Sequence, residues 1–292
     1  MNLRLPLIIK ILFLSSFQYL YADYSSRDEV NNFIEYMSEK HEFSKSELKN
    51  LFDQAEYQEK VVRIMNRQPE GTMTWGRYKG IMINDSRISA GKEFIESYGN
   101  ELKRAEDIYG VPAEIIASII GIETRYGRIK GNTRVIDSLS TLAFDYPRRA
   151  KFFKIQLEEF LLLSREEKFN PEEIKGSIAG AMGYGQFMPD SYRNYAVDFD
   201  KDGVRDILNN PVDAIGSVAN FLNKKGKWKP NTPVAIKARA VNQVEDFKSS
   251  FKPYMTDIEL SKLGLEPIEQ IPGNLKFVPI SLDANEGYEY WL

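Results

Sequence analysis

The sequence predicts an α+β protein, mainly α-helical, with a small antiparallel β part near the C-terminus. Apolar residues recur at helical spacing in successive segments between residues 26 and 226. After residue 230 the period shortens to two: Val234, Ile236, Ala238 and Ala240 alternate with Lys237, Arg239 and other outward residues, and Leu275 with Phe277 repeats the pattern. No internal repeat and no low-complexity tract interrupts this order.

Taken in chain order, residues 1–22 open with Asn2 and Arg4, continue through the apolar stretch Leu5 to Phe17 and end at Ala22, the layout of a secretory signal. Lys10 breaks a stretch already short for a membrane span of about 20 residues. Cleavage after Ala22 is expected to release a soluble, exported protein, with an uncleaved anchor as the alternative. Residues 23–110 are expected to form a helical lobe. Ser26 and Glu29 bracket a capping box before Val30, Phe33, Ile34 and Met37; Ser44 and Glu47 repeat it before Leu51 and Phe52. A turn is expected at Gln68-Pro69-Glu70-Gly71.

Residues 111–230 read as a core region. Pro112 suits a helix start, Ile115, Ile116, Ile119, Ile120 and Ile122 make a strongly apolar rod, and Gly127 is placed to end it as a left-handed cap. Phe153, Leu157, Phe160 and Leu161 form a further stripe. Asn209-Asn210-Pro211 starts a helix through Val212, Ile215, Ala219 and Leu222, closed by Gly226. The alternating segments put a β-containing region at 231–292.

Composition narrows the chemistry. With 39 Lys+Arg against 42 Asp+Glu the net charge is −3, which argues against a nucleic-acid backbone as partner. There is no Cys, and His41 is the single His, so disulfides, thiol nucleophiles, Cys-ligated zinc and His-based dyads are nearly all excluded. Proton chemistry falls to carboxylates, Lys or Tyr.

Glu123 follows Ile116, Ile119 and Ile120 by seven, four and three positions, so its carboxylate leaves from the apolar helix face. Burial and the negative helix end both disfavour ionisation, which predicts a raised pKa and suits a general acid for glycosidic-bond cleavage. The alternative is a structural ion pair with Arg125 or Arg128. In the Ala179-to-Pro189 segment the glycines permit close backbone approach, Tyr184 and Phe187 offer apolar faces, and Gln186 brings two donors and an acceptor. A sugar fits such a surface; a Gly-rich helix junction is the alternative. Asp198, Asp200 and Asp202 stand at positions 1, 3 and 5 of an EF-hand loop, Gly203 at 6 and the Val204 carbonyl at 7, a spacing that favours calcium over a solvated acidic turn. Position 12 is Asn209, so that loop lacks its usual closing Glu.

The runs Gly121-Ile122-Glu123-Thr124-Arg125-Tyr126-Gly127, Tyr146-Pro147-Arg148-Arg149-Ala150, Gly180 to Pro189 and Asp213 to Asn220 resemble the B-type lytic transglycosylases of bacterial cell walls. The resemblance implies a lysozyme-like catalytic core that cleaves the MurNAc–GlcNAc bond of peptidoglycan and leaves a 1,6-anhydro sugar. It makes Glu123 acid and then base. It places Ser177 and Gln186 at the N-acetyl sugar and Tyr78 along the glycan groove, core packing being the alternative for Tyr78. Arg148 and Arg149 would grip lactyl or peptide carboxylates through forked hydrogen bonds, where otherwise they read as a solvated helix start. Asp213 would close the acidic loop, although one extra residue in that loop loosens the correspondence. The ion is expected to be structural, and no cofactor is expected for the chemistry.

Glycan strands are the expected partner and nucleic acid is not; cell-wall synthesis or division proteins stay open as protein partners, and a monomer is expected. The expected location is the periplasm. The sequence ends at Glu289-Tyr290-Trp291-Leu292, inside a motif that in the family leads on to a Tyr-Asn pair near the catalytic Glu; a shortened cleft wall is expected if the natural protein ends there too, a truncated gene or reading frame being the alternative. Phe152 stands where a hydroxyl-bearing aromatic is common in the family. A hydrolytic muramidase and a catalytically impaired peptidoglycan-binding scaffold remain the alternative functions.

Overall fold

The computed structural model describes residues 24–67, 73–248, 250–270 and 275–292. The secretory signal expected at 1–22 and the turn expected at Gln68-Pro69-Glu70-Gly71 lie outside the described residues. The chain divides into two compact units, at Tyr57 and Gln58.

In the first unit a 3-10 turn, Tyr24–Ser26, leads into α1 (Asp28–His41) and α2 (Lys45–Asp53). Val30, Phe33, Ile34 and Met37 form the buried stripe of α1, as their spacing predicts, and Phe33 meets Phe52 edge to face at 6.0 Å. Ser44 caps α2, its Oγ accepting from the Glu47 amide at 3.3 Å. At α1 the N-cap position belongs to Arg27, one residue later than the box expected at Ser26, because Ser26 is taken into the preceding 3-10 turn.

The second unit begins with α3 (Glu59–Asn66), α4 (Trp75–Met82), α5 (Asp85–Ser97), α6 (Gly99–Tyr109) and α7 (Ala113–Thr124). Next come β1 (Thr133–Arg134), α8 (Val135–Phe144), a 3-10 turn at Pro147–Arg149, α9 (Ala150–Glu166) and β2 (Lys175–Gly176). α10 (Pro189–Tyr195) and α11 (Pro211–Lys224) complete the helical part. Residues 58–110 belong to this unit, since α5 and α6 pack on α7, and α6 also packs on α11.

Every residue of α8 is buried, which makes it the central rod of the helical part. α9 packs along it with Phe153, Leu157, Phe160 and Leu161, the stripe read from sequence. α8 carries Asp137 into the interior, where the guanidinium of Arg134 grips it through Nε at 2.8 Å and Nη2 at 2.7 Å. That fork satisfies a carboxylate that burial alone would penalise. Asn210 caps α11 by accepting from the Val212 amide at 2.9 Å, with Pro211 next to it where no N–H is needed.

β3 (Lys237–Ala240), α12 (Asp257–Lys262), β4 (Leu265–Pro267), β5 (Ile280–Ala284) and β6 (Gly287–Trp291) make the C-terminal part. Their antiparallel sheet has the order β4-β3-β6-β5, with Ala238 opposite both Pro267 and Tyr290, and Ser281 opposite Tyr290. Ile236, Ala238, Leu260, Phe277 and Leu292 form its core. Val234, read as the first inward residue of the alternation, is 61 % exposed. The ladder starts later, where the amides and carbonyls of Ile236 and Leu292 exchange bonds of 3.0 and 2.9 Å.

Candidate active site around Glu123

α7 buries Ile116, Ala117, Ile120, Gly121 and Thr124. At about 100° per residue, Thr124 continues that stripe and Glu123 falls on its margin. Glu123 is therefore exposed, not buried with the stripe, yet the surroundings of its carboxyl remove enough water to push it above the ordinary Glu range. Among the described residues it has no ion pair. Arg125 carries no acidic partner there, and Arg128 stands 3.6 Å from Glu93 instead. The structural pairing with Arg125 or Arg128 is not the arrangement found.

The helix ends earlier than the sequence suggests. Arg125 is already left-handed at φ 51°, followed by Tyr126 at 58° and Gly127 at 83°, so Arg125 takes the cap expected of Gly127. Gly127 has a second duty, because a β-carbon there would overlap the Tyr184 ring. The Thr124 hydroxyl secures the turn, accepting from the Gly127 amide at 2.9 Å and donating to the Tyr184 carbonyl at 2.9 Å. Tyr126 folds back beneath α7; a β-carbon at Gly91 or at Gly121 would stand 2.5 Å from its hydroxyl. Neither Thr124 nor Tyr126 was singled out from sequence. The signal for Thr124 was its place on the apolar stripe.

The Gly-rich segment is a tight loop. Met182 and Phe187 exchange backbone bonds of 2.9 Å, and Gln186 sits at a left-handed φ of 50°. Gln186 Nε2 donates to the Lys130 carbonyl at 3.2 Å and to the Gly183 carbonyl at 3.0 Å. Both amide hydrogens are thus committed, and Oε1 is left to accept from a ligand. Ser177 Oγ accepts from the amides of Ala179 at 3.3 Å and Ala181 at 3.0 Å, which leaves its hydroxyl hydrogen to donate. The two predicted sugar contacts thus belong to one internally braced segment, itself tied to the end of α7 by Thr124.

Tyr78 is 39 % exposed, so core packing does not describe it. It stacks on Trp75 at 6.0 Å and 27° beside a groove of about 510 Å³ lined also by Met73, Thr74, Ser281, Leu282 and Asp283. Glu289 of β6 anchors that wall, accepting from Trp75 Nε1 at 3.2 Å and Lys79 Nζ at 3.0 Å, which holds its carboxyl below the usual range. Trp75 was passed over in sequence, although its spacing of three from Tyr78 is that of helix-surface neighbours. Arg148 and Arg149 are exposed and without acidic partners among the described residues. The Arg149 guanidinium lies 4.3 Å from the Phe152 ring centre. No hydrogen bond or ring contact among the described residues joins Tyr78, Arg148 or Arg149 to Glu123.

In the acidic loop, carboxylate oxygens of Asp198, Asp200 and Asp202 lie within 4.8 Å of one another. Asp198 also accepts from the Gly203 amide at 2.9 Å, and Asn210 Nδ2 donates to Asp200 at 2.7 Å, which lowers the Asp200 pKa. Asp213 is outside that triad of mutually close carboxylates. It is fully buried beneath the loop, accepting from the amides of Phe199 at 2.7 Å and Asp206 at 2.8 Å. Burial raises its pKa, and the nearby Asp200 charge adds to the effect. Val204 is exposed beside the triad, its amide bonded to Asp202 at 2.9 Å. Convergent carboxylates, all oxygen ligands and with no basic side chain paired with them among the described residues, fit a hard divalent cation. The loop is fastened to the Gly-rich segment, Ile207 O accepting from the Tyr184 amide at 3.1 Å, and to the stretch after α7, Leu208 O accepting from Lys130 Nζ at 2.6 Å.

A helix-end carboxyl held toward its neutral form, on a helix tied to a braced loop of amide and hydroxyl groups, within a mainly helical fold, defines a lysozyme-like enzyme class. Residues 25–292 match the transglycosylase SLT domain, and the chain belongs to that family. It is 41% identical over 279 residues to the membrane-bound lytic murein transglycosylase B of Escherichia coli (strain K12), covering 92% of this chain and 76% of that protein. The Escherichia coli lytic transglycosylase SLT35 in complex with bulgecin A superposes with a TM-score of 0.86 at 42% identity, covering 92% of this chain and 85% of the other. Its calcium complex gives 0.85 at 41%, with the same coverage. SltB3 from Pseudomonas aeruginosa in complex with NAG-NAM-pentapeptide gives 0.74 at 27%, over 90% and 71% of the two chains.

Proposed function

We propose that this protein is a peptidoglycan lytic transglycosylase in which Glu123 serves as acid and then as base. The observation that carries the residue assignment is the Glu123 carboxyl itself: without an ion pair among the described residues, partly desolvated and raised in pKa, on the helix that Thr124 ties to the Tyr184–Gln186 loop. In the first step the carboxyl gives its proton to the oxygen linking MurNAc C1 to GlcNAc, and the C1–O bond breaks. The N-acetyl carbonyl oxygen of the same MurNAc stabilises C1, in place of a second carboxylate. In the second step the Glu123 carboxylate takes the proton of the C6 hydroxyl as O6 bonds to C1. No water is consumed, and the acid is restored. The nucleophile is already part of the bound sugar, so its effective concentration is high.

Ser177 and Gln186 would hold the N-acetyl sugar, Ser177 as donor and Gln186 through Oε1. Tyr78, with Trp75 beside it, would give glycan an apolar face, and Arg148 and Arg149, without acidic partners among the described residues, would take lactyl or peptide carboxylates. The SltB3 complex with a NAG-NAM-pentapeptide supports a substrate carrying both sugar and peptide. Asp198, Asp200, Asp202 and the Val204 carbonyl would hold Ca²⁺, with Asp213 beneath organising the loop backbone. The calcium complex of SLT35 supports that choice of ion. Bound calcium would supply charge balance and loop rigidity, with no part in the bond chemistry. The leader-like residues 1–22 and a cell-wall substrate support a periplasmic location.

Incubating the purified protein with sacculi and weighing the released muropeptides tests the reading. Anhydro ends, lost in Glu123→Gln, are expected. Reducing ends alone would mean a hydrolytic muramidase, and binding without solubilisation a scaffold.

A further inference from the structure

The residue following Glu123 makes the most distant hydrogen bond at the end of α7. Thr124 is 1 % exposed, and Oγ1 has the Ile120 carbonyl at 3.1 Å as well as the Tyr184 carbonyl at 2.9 Å. A Thr inside a helix ordinarily returns its hydroxyl to the carbonyl four residues back. Here a carbonyl 60 residues further along the chain stands nearer to Oγ1 and competes for its single hydrogen. The same oxygen accepts from Gly127 N, so both its donor and its acceptor capacity are used out of water.

Tyr184 is a junction. Its amide is bonded to Ile207, its ring lies against Gly127, and Lys130 Nζ stands 4.9 Å from the ring centre. The carbonyl of that same Lys130 receives Gln186 Nε2. The hydroxyl of Thr124 therefore connects the last turn of the helix that bears Glu123 to the loop that presents Gln186.

We propose that Thr124 is a positioning residue for the transglycosylase reaction: its hydroxyl sets the spacing between the Glu123 carboxyl and the Tyr184–Gln186 loop, and with it the alignment of the bound sugar. The inference rests on the reading of Glu123 as acid and base. Intramolecular attack depends on O6 reaching C1 before water does. A shift of the loop by a fraction of an ångström slows the attack of O6 and gives water time to enter. The water oxygen then bonds to C1 in place of O6, its proton goes to the Glu123 carboxylate, and a reducing end forms.

The test compares Thr124→Val, which keeps the shape without the hydroxyl, with Thr124→Ser, which keeps the hydroxyl. Rates and products are measured on sacculi, with folding checked by circular dichroism and melting. Thr124→Val is expected to lose about ten- to a hundredfold in kcat, the scale of a small misplacement, with KM little changed. Its products should contain a larger share of reducing ends, and Thr124→Ser should restore both rate and product ratio. A folded Thr124→Val with wild-type kcat and wild-type product ratio would overturn the proposal, even if its melting temperature fell. Should Thr124→Val fail to fold, Thr124→Cys replaces it as a weak donor of similar size, expected between Ser and Val. Wild-type kcat and products in Thr124→Cys would equally count against positioning. Full activity in Glu123→Gln overturns the acid assignment; an inactive Glu123→Gln alongside a wild-type-like Thr124→Val overturns only the role of Thr124.

Discussion

Gly127 lies against the ring of Tyr184 so closely that a β-carbon at Gly127 would overlap the ring atoms Cε1 and Cζ. The contact fixes the turn after α7 on the Gly-rich loop, and the left-handed φ of 83° makes the same demand independently.

Gly127→Ala should therefore be costly twice over. The left-handed backbone alone penalises Ala by about 1–2 kcal/mol, and the ring must also move. Urea denaturation is expected to show at least that loss, and cleavage of sacculi should fall with it because the turn is next to Glu123. A variant of unchanged midpoint and activity would show that the turn is not under this constraint.

The raised pKa of Glu123 sets the sign of two pH effects. The proposed first step needs Glu123 protonated, so on that reading the alkaline limb of the rate profile should lie above the ordinary Glu value of about 4.3. For stability, the folded state binds this proton more tightly than the unfolded chain. The contribution is thus fully present below the unfolded pKa and is lost as pH rises through the folded one. Glu123→Gln should accordingly melt higher than wild type at neutral pH, with the difference vanishing in acid. A melting difference that grows toward low pH would contradict the assignment.

If the acidic loop holds calcium as proposed, the ion should raise the melting temperature by several degrees when well above its dissociation constant, because a ligand of the folded loop alone stabilises the folded state. A chelator should reverse the shift, and Asp202→Asn should abolish it by removing one of the convergent carboxylates. Differential scanning calorimetry with and without the ion is sufficient. No shift at millimolar calcium would count against the site.

Asp137 is 2 % exposed and forked by Arg134. Asp137→Ala takes the fork from an Arg134 guanidinium that is itself only part-buried at the head of the central helix, which is expected to cost about 1–3 kcal/mol. Urea unfolding with an unchanged slope is the measurement. A loss under about 1 kcal/mol would place the pair among the weak surface bridges.

Much of the local structure was legible in the residues. The stripe Phe153, Leu157, Phe160 and Leu161 is buried, Ser44 and Asn210 cap their helices, and Ile236 and Ala238 point inward from the sheet region. These depend on side-chain spacing and on groups a few residues apart, which sequence displays directly. Val234 was misread because strand alternation continues past the point where a partner strand exists. The cap was misplaced at Gly127 because Arg125 and Tyr126 adopt positive φ, an uncommon state for residues with a β-carbon.

By itself the sequence determined that Glu123 ends an apolar helix, that Ser177 and Gln186 lie along a Gly-rich segment, and that Asp198, Asp200 and Asp202 share a loop. Only the tertiary structure decided that the Thr124 hydroxyl reaches the Tyr184 carbonyl, that Gln186 has already committed both its amide hydrogens, and that Asp213 supports the acidic loop through the amides of Phe199 and Asp206. The reason is physical. Periodicity fixes which face of an element a side chain leaves from, whereas hydrogen-bond partners and desolvation depend on segments brought together from distant parts of the chain.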